Sequence, residues 1–176
     1  MNQVRCAEIC CLDSMSSDDF RTGMRQLAAA VSIVTTEADG VRGGLTATAV
    51  MSLSAEPPRL VVSINKTASA FPLIERAGCF AVNVLQSAQL AVASRFAGGS
   101  KGEARFAGAE WSAVVTGAPV LTNAAVSFDC TVHEAIDAGS HALFIGDVRA
   151  VISSPAERPL LYSDGGWHSL VKLCQG

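Results

Sequence analysis

Apolar and polar residues alternate with a period of two along several separate stretches of the chain, most plainly over residues 43–54, GGLTATAVMSLS. Leu45, Ala47, Ala49, Met51 and Leu53 alternate there with Thr46, Thr48, Val50, Ser52 and Ser54, which predicts one pleated strand with one face toward a core. Ala47 and Ala49 carry so little side chain that the backbone beside Thr46 and Thr48 is open to a flat heterocycle. The same alternation also describes an ordinary half-buried strand.

The remaining elements follow in order. Phe20, Met24, Leu27 and Ala28 recur at spacings of three and four, predicting a helix packed on something; Ser16 or Ser17 caps it, and Asp18 and Asp19 suit its first turn. Residues 31–37 (VSIVTTE) switch to β-branched side chains and predict a strand. Glu56-Pro57-Pro58 stops the 43–54 strand, and another runs over 59–64. A helix through Leu73, Ile74 and Ala77 begins near Pro72, with Ser69 as its cap and Gly78 at its far end. Strands at 79–85, 125–136, 141–152, 160–162 and 167–171 complete the β content. An amphipathic helix at 88–97 carries Leu90, Val92, Ala93 and Phe96, and the segment 98–103 is expected to be a mobile loop. Many strands joined by turns, without regular strand-helix alternation, predict a mainly β, closed or nearly closed antiparallel barrel with short helices.

Length and charge narrow the picture. The 176 residues suit a single domain at 16–176, with 1–15 as a disordered extension ahead of any periodic pattern. A formal charge of -3 with no basic run gives no reason to expect nucleic acid or an anionic membrane as partner. No apolar run reaches membrane-span length and no leader is evident, so a cytoplasmic location is expected. Cys6, Cys10 and Cys11 fall in the extension, while Cys79, Cys130 and Cys174 are too scattered for a metal site; reduced thiols and no metal are expected.

Candidate chemistry concentrates where the 59–64 strand meets the next helix. Unpaired amides at that helix start, the cation of Lys66 and the hydroxyls of Thr67 and Ser69 suit a phosphate. A plain capped helix with an exposed lysine is the competing reading. No G-x-G-x-x-G opens a helix after a strand, so a nucleotide is not expected in a dinucleotide crevice. The GGSKGE of residues 98–103 lacks the spacing of a phosphate loop. No acid, base or nucleophile constellation is evident, and no catalytic side chain is assigned.

From Phe20 to Val171 the chain resembles the small flavin reductase family, whose members supply reduced flavin to separate monooxygenases. The segments that carry the resemblance are FRTGMRQLAAAVSIVTT, GLTATAVMSLSAEPPRLVVSINKTAS, FAVNVL, the SRFA of residues 94–97, the GSHALFIGDV of 139–148, and PLLY with GGW near the end. The resemblance implies a flavin-reductase-like split β-barrel with Greek-key topology, a homodimer with flavin near the subunit interface, and diffusive transfer of reduced flavin to a flavin-dependent monooxygenase. It implies FAD or FMN as flavin and NADH, with NADPH open, as donor. It places the isoalloxazine against Thr46, Ala47, Thr48 and Ala49 and the phosphate near Asn65, Lys66 and Ser69, and Ser63 and Phe96 complete the flavin set. A Gly-Asp-His turn tied to nicotinamide binding in the family reads Gly139-Ser140-His141 here, leaving His141 without the acidic neighbour. Two alternatives stand beside this reading: a non-catalytic flavin- or haem-binding split-barrel module, and an oxidase of the pyridoxamine phosphate type.

Overall fold

A computed structural model describes residues 16–154 and 158–171. The expected N-terminal extension and Cys174 lie outside the described residues. Helix α1 (Ser17–Met24) is opened by Ser16, whose hydroxyl accepts from the Asp19 amide while the Asp19 carboxylate accepts from the Ser16 amide. The helix ends at Met24, so of the expected apolar face only Phe20 and Met24 lie on it, while Leu27 and Ala28 fall beyond its end; Phe20, Met24 and Leu27 are all exposed and do not enter the core.

Beyond β1 (Ala29–Ala30), β2 (Ser32–Ala38) and β3 (Val41–Ala47) form a hairpin, then β4 (Val50–Ala55) and β5 (Pro58–Asn65) form another. The single strand expected over 43–54 is therefore two strands, broken at Thr48 and Ala49. The break allows β3 and β4 to take opposite edges of one seven-stranded sheet, ordered β3-β2 and onward to β5-β4. Period-two alternation persists through the break, so pattern alone could not reveal it. Helix α2 (Phe71–Ala77) ends at Gly78, whose φ of 63° is the left-handed conformation that glycine adopts without cost. Ala70, not Ser69, occupies its N-cap, and no side chain caps it.

β6 (Cys79–Val84) returns to pair with β2, skipping β3, β4 and β5. Helix α3 (Leu90–Ser94) is shorter than expected; a 3₁₀ turn precedes it and a wider turn, Arg95–Gly99, follows it. A second 3₁₀ turn, Gly102–Phe106, falls at the end of the segment expected to be loose. That segment is pinned: Arg105 donates to the Ser100 carbonyl, Glu103 pairs with Arg42, and Phe106 is buried. The short strands β7 (Trp111–Ser112) and β8 (Val120–Leu121) pair with each other. The long strands β9 (Val126–Ala138) and β10 (His141–Ser153) follow, with β9 beside β6 and β10 beside β5. β11 (Leu160–Ser163) and β12 (Gly166–Ser169) make a small sheet with β1.

The sheet is an open barrel whose two edges are joined covalently by Thr48 and Ala49. The four-strand run β2 to β5 with β6 returning beside β2 is the Greek-key arrangement. Strict alternation on β5 and β10 sends Leu60, Val62, Ile64, Ala142 and Phe144 inward, where they meet Val34, Ile74, Phe80 and Val82. Each fully buried Val, Ile or Phe among them contributes about 1.5–3 kcal/mol. A second core under α3 gathers Val31, Ile33, Leu85, Val92, Phe96 and Phe106. Between the layers, Asn83 is wholly buried yet satisfied, donating to the Ile33 carbonyl and accepting from the Leu121 amide and the Ser127 hydroxyl.

Candidate flavin and nicotinamide site

The outward faces of β5 and β10 carry the alternate residues Arg59, Val61, Ser63 and Asn65 and His141, Leu143, Ile145 and Asp147. Antiparallel register sets Asn65 opposite His141 and Ser63 opposite Leu143. The Ser63 amide also donates to the Ala49 carbonyl at 3.0 Å. Three stretches distant in sequence, 46–49, 63–65 and 141, thus meet at one surface. Among the described residues, the amides of Thr48 and Ala49 have no hydrogen-bond partner. Because the link they form is exposed, those donors are free for a ligand.

The expected site residues divide by what the fold does with them. Thr48 and Ala49 are exposed at the link, and Ser63 and Asn65 are half-buried beside it. Thr46 spends its hydroxyl on the Ala93 carbonyl at 2.9 Å, and Ala47 faces the core at 8% exposure. These two shape the strand under the site rather than offering side chains to it. Phe96 is buried beneath Gly44, in edge contact with Phe106, so its ring gives no surface to a ligand. Its apolar helical spacing could not separate a ring that stacks on a ligand from one that fills a core.

Asn65 organises the segment that follows it, its Oδ1 accepting from both the amide and the hydroxyl of Thr67. Lys66 points to Asp137, with Nζ 2.6 Å from Oδ2, and its amide donates to the Ser140 carbonyl. Asp137 in turn accepts from the Gly139 amide through Oδ1. The Lys66 hydrogen bond, aided by the Gly139 amide and the lysine charge, holds the Asp137 carboxyl below its ordinary pKa. Lys66 therefore staples the β9-β10 turn that carries His141. Ser140 stands where the resemblance led one to expect an acid, and its hydroxyl lies 2.9 Å from His141 Nδ1. This contact engages one ring nitrogen and leaves Nε2 for a ligand.

Ser69 has a partner that no local pattern reveals. Arg105 Nη1 donates to the Ser69 hydroxyl at 3.2 Å and to the Gly44 carbonyl at 2.6 Å. By sequence the GGSKGE segment reads as a loose loop, and nothing in its pattern marks Arg105. Only the folding of residues 102–106 across β3 brings Arg105 to this place.

Below the His141 end, the outer sheet face becomes apolar. A groove of about 410 Å³ is lined by Met51, Leu53, Val61, Ile136, Leu143 and Ile145 among others. Met51 and Leu53 are 62% and 46% exposed. Further along the same strands, Arg59 Nε pairs with Asp147 at 2.6 Å, and His133 Nδ1 lies 3.2 Å from Arg59 Nη2. On the other side of the Thr48-Ala49 link, Phe20, Met24, Leu27 and Tyr162 border a second cavity of about 510 Å³.

Comparison with known proteins agrees with this architecture. The model of the flavin reductase like domain matches residues 24–170. The NADH-dependent FMN reductase RutF of Stutzerimonas stutzeri is 41% identical over 153 residues, spanning 87% of this chain and 88% of its own. The solved structure of the flavin reductase PheA2 in its native state superposes with a TM-score of 0.82 at 32% identity, over 90% of this chain and all of PheA2. BorF, the flavin reductase component of a bacterial two-component tryptophan halogenase, gives a TM-score of 0.82 at 27% identity, over 90% and 100% of the two chains.

Proposed function

Because the chain belongs to the flavin reductase like domain family, we propose that it is an NADH-dependent flavin reductase that takes FMN as its flavin. The observation that carries the reading is the meeting of the free Thr48 and Ala49 amides, Ser63, Asn65 and His141 at one surface. The 46–49 backbone would hold the isoalloxazine, with the free Thr48 and Ala49 amides available to its heteroatoms, and His141 would meet the nicotinamide. The flavin supplies the hydride acceptor. This chain's residues would bind and orient the two cofactors, which is what hydride transfer between closely held partners requires of a protein. Backbone donors near the ring also stabilise the negative charge that reduction places on it.

Reduced flavin then leaves for a partner oxygenase or halogenase, a role supported by the two-component system named for BorF. The exposed link and shallow site suit a flavin that exchanges. The reading includes a homodimer formed over the apolar outer face of β4, β5 and β10, because monomers rarely expose so continuous an apolar patch. It also includes a cytoplasmic location, where NADH is regenerated. Among the described residues, no helix is long and apolar enough to cross a membrane.

The test is NADH consumption by purified protein with and without added FMN, FAD or riboflavin, repeated with NADPH. Flavin-dependent oxidation of NADH is expected, fastest with FMN. Saturable flavin binding without turnover by either donor sinks the reductase reading and leaves a binding module.

A further inference from the structure

Arg95 is a cation for which the fold provides no partner. It follows the last residue of α3, where an arginine ordinarily donates to the final helical carbonyls or to a carboxylate. Here Nε is closed off from solvent with no hydrogen-bond partner, and among the described residues neither Nη1 nor Nη2 forms a hydrogen bond or an ion pair. The guanidinium is held in place all the same. It lies along Gly108, where a Cβ would stand 3.7 Å from Nη1 and 3.9 Å from Nη2. Arg95 and Gly108 together line a cavity of about 440 Å³, whose apolar walls come from Ala88, Ala91, Val92, Ala109 and Leu121. Gln89 also lines it but spends its side chain on the Gln86 amide and the Asn123 carbonyl. Glu110 stands exposed in the same lining and forms no ion pair with Arg95. The cavity shares no lining residue with those that border Thr48 and Ala49.

We infer that this cavity is a separate ligand site that takes a small organic monocarboxylate, its carboxylate on the Arg95 guanidinium and its apolar body against α3 and Leu121. The two oxygens of a carboxylate match the planar donor edge of a guanidinium. With one flank out of water and no protein acceptor beside it, the Arg95 charge is less screened than that of a surface arginine. Glu110 opposes a second negative charge on the ligand, which disfavours phosphates and dicarboxylates. The remaining faces of α3 serve β3: the Ala93 carbonyl receives the Thr46 hydroxyl at 2.9 Å, and Phe96 rests on Gly44. An acid bound at Arg95 therefore bears on the helix that backs β3 without occupying the surface at Thr48 and Ala49. The inference goes beyond the reductase reading and does not depend on it.

Isothermal titration calorimetry of the purified protein with benzoate, benzamide, terephthalate and inorganic phosphate, repeated with FMN present, tests the site. Benzoate is expected to bind with a dissociation constant of about 0.1–1 mM, the range for so small a ligand held by one charged contact. Benzamide, its neutral isostere, and the two more highly charged anions should each bind about tenfold more weakly or worse. Arg95→Gln should weaken benzoate about ten- to a hundredfold, the loss of a charged hydrogen-bonding partner. Ala91→Leu fills the cavity while leaving Arg95 in place and should weaken benzoate as well, with circular dichroism confirming that both variants are folded. Benzoate binding unchanged in the two variants overturns the inference. So does competitive displacement by FMN, which would put the acid in the flavin site, and so does the absence of benzoate binding at about 10 mM, which would leave the cavity to water. None of these failures touches the reductase reading, which NADH oxidation decides.

Discussion

The ring of Phe96 rests directly on the Cα of Gly44: a Cβ built there would stand 2.6 Å from Phe96 Cε1 and 2.9 Å from the Val34 carbonyl oxygen. The backbone oxygen cannot retreat without opening the β2-β3 ladder. Gly44→Ala should therefore cost about 1–3 kcal/mol, the usual range for an overpacked core. Urea unfolding followed by Trp111 fluorescence suits the test, since Trp111 packs on Phe96 and Phe106. Wild-type stability in this variant would show that the contact yields easily.

Asp129 is wholly buried, and its Oδ2 accepts from the amides of Val115 and Thr116 at 2.8 and 2.9 Å, while Oδ1 accepts from the Thr116 hydroxyl. Asp129→Ala strands two amides and a hydroxyl. At about 1–3 kcal/mol for each uncompensated buried group, reduced by water reaching the opened loop, the expected loss is about 2–4 kcal/mol. Denaturant midpoints at constant slope would measure it.

Acid should loosen the outer face through Asp147. Its hydrogen bond from Arg59, with the charges of Arg59 and His133, depresses its pKa despite partial desolvation. A carboxyl with a lower pKa folded than unfolded binds more protons when unfolded, so its contribution is complete above the ordinary carboxylate pKa. It fades as pH falls from about 4 through the lower folded value. Asp147→Asn should lower stability near neutrality and flatten the loss below about pH 4. Equally steep acid unfolding in both proteins would contradict this.

Burial, reinforced by the neighbouring Asp129 and Asp147 charges, pushes the Cys130 thiol up to about 12. A thiol with a raised folded pKa favours the folded state below its unfolded pKa and loses that contribution as pH rises between the two values. In native protein, position-resolved alkylation at pH about 8 should leave Cys130 unmodified, with full labelling after denaturation. Rapid native labelling would mean that β6 and β9 separate readily.

The apolar outer face offers a direct test of assembly. Met51→Asp together with Ile145→Asp puts charge where Met51, Val61 and Ile145 adjoin across β4, β5 and β10. Sedimentation velocity should show a dimer in the wild type and a folded monomer in the variant, with weaker flavin binding. A wild-type monomer would remove the dimer from the proposal.

Local chemistry by itself determined much of this protein. β-branched alternation, prolines at 57 and 58 and glycine at 78 set strands, stops and the end of α2, because steric and hydrogen-bonding rules act within a few residues. The same reasoning picked out the 46–49 backbone as open, and the fold leaves Thr48 and Ala49 exposed while it turns Ala47 into the core. It also extended 43–54 through Thr48 and Ala49 as one strand: alternation records which side a residue faces, not which neighbour its strand pairs with. Only tertiary structure sent β3 and β4 to opposite sheet edges, gave Lys66 to Asp137, buried Phe96, and laid Arg105 beside Ser69 across 36 residues of sequence. Charge neutralisation and burial are properties of neighbours in space, and a chain states its neighbours only once it has folded.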